Sequence, residues 1–281
     1  MDILMILCST LLFSLQFVFH NIYSKKYGSG LAATVSLSLY TGIFGFFILW
    51  ALNAFVFRFS WFSALIAFVA AACALLQIWC SAKAFETANL SLYSMFTMLG
   101  GMALPFAFGL MIGEDFTWLK ALCFVLITLS LVISLEKGES QKGALKYYSA
   151  VFILNGMSGV LSTIHNMGGE LAVDSYSYSM LIKSIQILLC IGILLVKKTP
   201  PVRLNLITGL GSFGYAAFSS VGNLLLLLAL VTLPASVQYP IVTGGVIVIS
   251  TAITLLRKEK VTKRELVAAV IACAATVLIA L

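Results

Sequence analysis

The sequence predicts an all-α integral membrane protein whose ten transmembrane helices come from two inverted five-helix repeats. Hydrophobic residues make up 61% of the 281 residues and charged residues only 10%, a composition outside the range of soluble domains. The chain also matches itself at a shift of 145 residues. This shift separates its two histidines, His20 and His165, and each of them is followed by an asparagine.

The same shift superimposes further pairs of identical residues without a gap. They are Arg58 and Arg203, Thr87 and Thr232, Ser91 and Ser236, Gly100 and Gly245, Glu114 and Glu259, and Thr117 and Thr262. Rare residue types at one uniform spacing indicate a duplicated unit, because chance matches in an apolar chain fall mainly on common residues. We therefore predict a first repeat at residues 1–140 and a second at 141–281.

Ten apolar runs are long enough to cross a bilayer core of roughly 30 Å as helices. The predicted spans are 3–23, 31–56, 61–82, 91–112, 117–135, 148–168, 175–196, 204–230, 234–256 and 264–281. Backbone groups in lipid must be satisfied within one segment, so helices are expected rather than an open sheet. The first run lacks a basic start and a small-residue cleavage site, so we expect a retained helix rather than a signal peptide.

The distribution of basic residues predicts the orientation of these spans. Of the 17 Lys and Arg residues, all but Arg58, Lys120 and Lys183 lie in or beside the odd-numbered connections. The positive-inside rule places those connections in the cytoplasm and both termini outside. Because each repeat has an odd number of spans, the two repeats are inverted, as in many secondary transporters with a substrate site near the midplane.

The net charge of +7 therefore reflects the orientation of the spans in the membrane, and no nucleic-acid partner is expected. The six cysteines lie inside the predicted spans without a CxxC pair, which is typical of small packing residues. We expect no metal and no cofactor.

Polar residues within the spans mark a candidate cavity, because polar groups in membrane helices usually face the bundle interior or water. The eighth span carries Thr208, Ser212, Tyr215, Ser219 and Asn223 at helical spacing, and similar stripes occur in spans 2, 6 and 7. The candidate cavity residues are Gln16, Ser38, Tyr40, Gln77, Trp79, Asn155, Lys183, Gln186, Tyr215, Ser219, Asn223 and Tyr239. The alternative is hydrogen bonding between helices without a ligand, worth roughly 0.5–2 kcal/mol per contact.

Lys183 is the most informative of these residues. It lies roughly 12 Å into the seventh span, and the acidic residues of the other spans lie near span ends. A lysine at this depth either extends its ammonium to the interface or serves the cavity. In the cavity it would bind a substrate carboxylate, or lose its proton and switch during transport.

The two histidines each lie near the far end of a span, so inversion places them on opposite sides of the membrane, roughly 24 Å apart. One small substrate cannot contact both. Two interpretations stay open: symmetric gate positions, or interfacial histidines hydrogen-bonded to loops, with either one a proton sensor. Gly100-Gly101 and Gly244-Gly245 predict close helix approach, and Lys83 and Glu86 predict an ion pair at i,i+3.

The best local motif is residues 233–259, where Pro234-Ala235-Ser236 is followed by Pro240, Gly244-Gly245 and Glu259. With ten spans in two repeats, this segment resembles the EamA-type branch of the drug/metabolite transporter superfamily. In that family the ninth helix opens with small residues, carries a proline a turn later and ends at a glutamate. Here Lys258-Glu259 replaces the usual Gly-Glu, Met95 replaces the first-repeat proline, and the predicted termini are outside rather than cytoplasmic.

The resemblance implies a multi-pass plasma-membrane protein in the lipid bilayer that moves a small-molecule substrate by alternating access. Because one chain contains both inverted repeats, we expect the protein to work as a monomer. The lone deep cation favours a zwitterionic, anionic or neutral polar, amino-acid-like metabolite, with export or exchange as the expected mode. Two transport alternatives stay open: quaternary ammonium compounds bound by Trp79, Tyr40 and Tyr215, or flipping of a lipid-linked sugar. A membrane-embedded enzyme is disfavoured, because clustered acid/base or metal ligands are not evident.

Overall fold

The computed structural model describes residues 2–86, 90–113, 117–134, 145–258 and 261–280. Over these ranges the chain forms ten α-helices, one short 3₁₀ turn (Gly169–Leu171) and connections, without a strand. The helices are α1 Asp2–Tyr27, α2 Leu31–Leu52, α3 Trp61–Ala84, α4 Leu90–Met111, α5 Trp118–Ser134, α6 Leu145–Met167, α7 Ser175–Val196, α8 Leu206–Ala229, α9 Ala235–Leu256 and α10 Lys263–Ala280. Each helix lies over one of the predicted spans.

Polar caps fix where several helices begin. The side chains of Ser60, Asp174 and Asn205 accept hydrogen bonds from backbone N–H groups three residues later, at 3.1, 2.9 and 2.9 Å. Thr262 and Glu265 form a reciprocal pair at the start of α10, with distances of 2.8 and 3.2 Å. These bonds satisfy N–H groups that have no partner within their own helix.

Helix α2 ends at Leu52, although its predicted span runs to residue 56. Ala54 and Phe55 have φ angles of 50° and 63°, in the left-handed region that right-handed helices exclude. The prediction of this helix end was therefore wrong, and the connection to α3 begins earlier than the apolar run suggests.

Seven helices among the described residues are long and apolar enough to cross a membrane. They are α1, α2, α3, α4, α7, α8 and α9. The protein is thus an all-helical protein with the helices of a membrane protein, while the full count of ten transmembrane helices stays a prediction.

The strongest packing joins helices α1–α5 to helices α6–α10. Helix α1 packs against α8 and α9, α6 against α3 and α4, and α2 and α3 against α7, while α4 pairs with α9 and α5 with α10. At Gly100 of α4 an added Cβ would stand 2.0 Å from the carbonyl oxygen of Phe152 in α6. The predicted close approach at Gly100 is therefore found, and it joins α4 to α6.

The connections after α1, α3, α7 and α9 meet at one end of the bundle. Ser29 donates a hydrogen bond to Glu86, the Val202 N–H donates to Ser36 Oγ at 2.8 Å, and Arg257 Nη1 donates to Asn21 Oδ1 at 3.3 Å. We call this end the basic face because it carries Lys25, Lys26, Lys83, Lys197, Lys198, Arg203, Arg257 and Lys258. The other end, where the Arg58 N–H donates to Ser177 Oγ at 3.0 Å, is the opposite face.

One predicted ion pair lies on the basic face. Lys83 Nζ and Glu86 Oε1 are 3.1 Å apart, as the i,i+3 spacing predicts. The hydrogen bond from Ser29, together with the Lys83 ammonium, holds the pKa of the Glu86 carboxyl below its usual value. The pair is partly exposed, so it contributes little to stability, and that contribution falls away as pH drops through the lowered pKa.

Candidate functional site

A central cavity of about 140 Å³ lies between the two groups of five helices. Its walls come from α1, α3, α4 and α6–α9. Most of the predicted cavity residues line it: Gln16, Gln77, Asn155, Lys183, Gln186, Tyr215, Ser219, Asn223 and Tyr239. The packing of α1 and α3 against helices from the second half brings these side chains together from distant parts of the chain.

Three predicted residues lie outside this cavity. Trp79 is exposed on the outer surface of α3, where its ring meets Tyr147 edge-on at 5.8 Å. The Tyr40 hydroxyl donates to the carbonyl oxygen of Val202 at 2.5 Å, near the basic face. Ser38 is fully buried between α2 and α7, where it accepts a hydrogen bond from Gln186. In this structure the three side chains contribute to helix packing and the outer surface and do not line the cavity.

Lys183 contributes the only charged side chain among the described cavity-lining residues. Its Cε lies 3.1 Å from where a Cβ on Gly45 would stand, so the absence of a side chain there makes room for the lysine stem. Its ammonium makes no hydrogen bond or ion pair with any residue that the structure describes. An uncompensated cation in such a place is costly unless water or a ligand supplies the missing partner.

Amide side chains share the cavity wall with this cation. Gln186 Nε2 donates to the carbonyl oxygen and hydroxyl of Ser38 at 2.9 and 2.8 Å, which fixes the glutamine against α2. Its Oε1, like that of Gln16, is buried without a hydrogen-bond partner among the described residues. The cavity therefore offers a cationic donor and amide acceptors, the groups that orient a small polar solute.

Three aromatic residues of the wall were not predicted from the sequence. Phe13, Phe17 and Tyr93 line the cavity beside Gln16. Phe13, Gln16 and Phe17 are spaced i, i+3 and i+4, so they share one face of α1. That spacing could have indicated Phe13 and Phe17, because a side chain on the same helix face as Gln16 lies beside the cavity.

Comparisons with known proteins bear on the fold. Neither a family model nor a curated protein sequence matches the chain. The structure is similar to a solved crystal structure of a protein. The TM-score is 0.62 at 12% sequence identity, covering 97% of this chain and 98% of the other. At this identity the similarity shows a shared fold alone.

The cavity continues toward the opposite face. An adjoining lobe of about 100 Å³ shares Lys183, Ser162 and Tyr239 with it and adds Ala70 and Leu230. Leu230 also lines a surface cleft of about 470 Å³ beside His165. The three spaces therefore lie in a row from Lys183 toward the opposite face, and Leu230 stands between the lobe and the surface cleft.

Rings close the cavity toward the basic face. Tyr93 contacts Phe85 at 4.2 Å and Phe17 at 5.2 Å between ring centroids, and His20 lies edge-on to Phe85 and Tyr215 at 5.3 and 5.4 Å. We call these five residues the aromatic cluster. It comes from α1, α4, α8 and the end of α3, and it separates the cavity from the basic face in this state.

The two histidines lie at opposite ends of α3. His20 contacts Phe85, just after the helix, whereas His165 Nε2 pairs with the Ser63 hydroxyl in its first turn at 3.0 Å. Those positions are about 30 Å apart along the helix axis. His165 also stacks on Tyr178 at 3.7 Å, while His20 is buried with Nε2 unpartnered among the described residues. No single small solute reaches both.

Proposed function

We propose that the protein is a secondary transporter that moves a small polar metabolite across the plasma membrane by alternating access. In this proposal ten transmembrane helices form two inverted repeats, 1–140 and 141–281, in the manner of EamA-like drug/metabolite transporters. The observation that carries the proposal is the unpaired ammonium of Lys183 in a central cavity that an adjoining lobe extends toward the opposite face, while aromatic rings fill the side toward the basic face. A site at mid-depth, closed on one side, is what an alternating-access cycle requires.

The helix packing supports the two-repeat part of the proposal. Exchanging each helix with the one five positions later turns the α1–α8 contact into α6–α3 and the α4–α6 contact into α9–α1. The α2–α7, α4–α9 and α5–α10 contacts map onto themselves. Thr243 Oγ1 donates to the Met98 carbonyl oxygen at 3.0 Å, and these residues are 145 apart, the repeat shift. Equivalent residues that meet are expected beside a pseudo-two-fold axis.

The charge of the site favours the class of solute. An ammonium without an acidic neighbour attracts a carboxylate and repels a cation, and repulsion is strong in a weakly screened cavity. A zwitterionic or anionic amino-acid-like solute would place its carboxylate at Lys183 and donate hydrogen bonds to the amide oxygens of Gln186 and Gln16. The aromatic wall suits the apolar part of such a solute.

The test is a thermal-shift screen of the purified protein in detergent against amino acids, organic anions, quaternary ammonium compounds and a lipid-linked sugar. A ligand at 100 times its dissociation constant should stabilise the protein by roughly 2.7 kcal/mol. We expect a carboxylate-bearing solute to raise the melting temperature, and Lys183→Gln to abolish that rise. Lys197→Gln is the matched control, because Lys197 follows the same helix but is exposed outside the cavity.

Each other outcome counts against part of the proposal. Stabilisation by quaternary ammonium alone, unchanged in Lys183→Gln, would move the site to the aromatic residues. Stabilisation by the lipid-linked sugar alone would favour flipping. A carboxylate response that Lys183→Gln and Lys197→Gln reduce equally would remove Lys183 from the site.

A further inference from the structure

Unpartnered polar side chains continue from the cavity toward the basic face, between α1 and α8. Gln16, His20 and Ser24 follow each other at intervals of four residues on α1. Ser212 lies on α8 between Thr208 and Tyr215, which contact Tyr27 and His20 of α1. His20, Ser24 and Ser212 are buried. Gln16 Oε1, His20 Nε2, Ser24 Oγ and Ser212 Oγ all lack a hydrogen-bond partner among the described residues. We call this row the α1/α8 seam.

The contacts along the seam show that α1 and α8 run antiparallel to each other. Ser9 Oγ donates to the carbonyl oxygen of Gly222 at 2.8 Å at one end, and the Tyr27 and Thr208 hydroxyls are 2.6 Å apart at the other. Midway, a Cβ on Gly214 would stand 2.5 Å from the ring of Phe19. The helices are therefore tightly packed over the length of α1, and the seam holds no open cavity of its own in this state.

Packing alone does not explain the polar row. Buried polar atoms without partners destabilise a folded state, and each one needs an explanation such as a water molecule, an ion or a functional role. The repeat-equivalent seam between α6 and α3 packs with Leu161 and Ala67 at the positions of Gln16 and Ser212. Its histidine, His165, has the Ser63 hydroxyl as partner. The middle of that seam is thus apolar, although His165 Nδ1 and Asn166 Nδ2 at its end are also buried without a hydrogen-bond partner among the described residues.

The positions of the two ends of the seam indicate what could supply hydrogen-bond partners for these polar atoms. Gln16 lines the central cavity, and Tyr215 of the aromatic cluster contacts both the cavity and His20. The Tyr27–Thr208 hydrogen bond lies where the seam reaches the basic face. Separation of α1 from α8 would open a polar channel between Lys183 and that face.

We infer that the α1/α8 seam is the path by which the solute passes between the cavity and the basic face, closed here and hydrated when α1 and α8 part. The inference rests on the proposed function. The aromatic cluster and the Tyr27–Thr208 hydrogen bond hold the path closed. A small solute with hydrogen-bonding groups is the class that this lining admits, since its donors and acceptors replace water at each position.

The test measures accessibility of the seam and needs no knowledge of the substrate. The six free cysteines are replaced by alanine, and Ser212→Cys or Ser24→Cys is introduced. Oriented membrane vesicles then receive a charged, membrane-impermeant thiol reagent from either side. We expect slow labelling from the basic face only. Leu210→Cys is the control, because Leu210 lies on the same helix but points outward and is 59% exposed, where lipid excludes the reagent.

A second substitution tests the mechanism of closure. Tyr27→Phe removes a hydrogen bond present only in the closed state, so labelling of Ser212→Cys should accelerate roughly two- to tenfold. Tyr147→Phe should leave the rate unchanged, since the Tyr147 hydroxyl makes no hydrogen bond with the described residues.

The outcomes separate this inference from the proposed function. The inference is overturned if Ser212→Cys and Ser24→Cys are labelled no faster than Leu210→Cys, both with Tyr27 present and in Tyr27→Phe. This holds even where the ligand screen identifies a solute at Lys183. Sided labelling that Tyr27→Phe accelerates supports the path, even where no solute in the screen binds. Equal labelling from both faces overturns it as well, because the cavity would then be continuously open.

Discussion

At the scale of single residues, Gly100 allows α4 and α6 to approach closely. An added Cβ would stand 2.0 Å from the Phe152 carbonyl oxygen, which is a backbone atom that cannot rotate away. We predict that Gly100→Ala forces α4 and α6 apart and lowers stability by about 1–3 kcal/mol, seen as a lower melting temperature in detergent.

The control for this prediction is Gly192→Ala. A Cβ on Gly192 meets nothing within 4 Å, and alanine is the better helix former, so stability should stay equal or rise slightly. Equal melting temperatures for both variants would show that α4 and α6 have room to separate.

The sequence could identify Lys183 and Gln186 because a polar side chain within an apolar helix must face something polar. Their spacing then indicates a shared face of α7. No comparable rule fixes an aromatic side chain, which is stable against lipid, at the interface or beside a cavity. That is why the sequence predicts Trp79 and Tyr40 at the cavity although the structure places them elsewhere, and why it does not single out Phe13, Phe17 and Tyr93.

At the scale of helices, the apolar runs predict the elements well, because each run must bury its backbone as a helix. Where a helix ends is less evident when the terminating residues are themselves apolar. Ala54 and Phe55 continue the apolar run after α2 but adopt left-handed backbone angles. A glycine would have signalled that turn, and here the sequence has none.

Asn155 ties three helices together. Its Nδ2 donates to the Thr97 carbonyl oxygen of α4 at 2.7 Å, and its Oδ1 accepts from Gln77 Nε2 of α3 at 3.1 Å. We predict that a double-mutant cycle of Asn155→Ala and Gln77→Ala gives a coupling energy of about 0.6–1.7 kcal/mol, measured by unfolding in mixed micelles.

A second cycle provides the comparison. Asn223 donates only within its own helix, to the Ser219 carbonyl oxygen at 2.7 Å. Gln77→Ala combined with Asn223→Ala should therefore be additive. Additivity in the Asn155 cycle too would mean that water replaces the lost contact at no cost.

At the scale of the whole molecule, the pattern of helix contacts is nearly symmetric while the access to the cavity is not. The packing pairs exchange when each helix is replaced by the one five positions away, yet the aromatic cluster fills one end and a surface cleft lies at the other. A shift of 145 residues puts Ser162 and Leu230 at the positions of Phe17 and Phe85, and both line the adjoining lobe. Sequence similarity could predict the equivalence of these positions, but the closed side depends on the size of the rings that fill it.

Orientation in the membrane is a property of the whole chain, and the charge distribution predicts it. The described basic side chains at the helix ends concentrate on the basic face, and the opposite face carries Arg58. The positive-inside rule places the basic face in the cytoplasm and the ends of α1 and α10 that lie away from it outside. Alkaline phosphatase fused after Leu281 should therefore be active, and green fluorescent protein fused at the same position should not fluoresce. The same reporters fused after Lys198, in the connection following α7, should give the reverse. Fluorescence at Leu281 together with phosphatase activity at Lys198 would invert the assignment, and the seam would then open to the outside.

Replacing Lys25, Lys26, Lys197 and Lys198 by glutamine should weaken the preference for this orientation, because each lysine retained in the cytoplasm contributes to it.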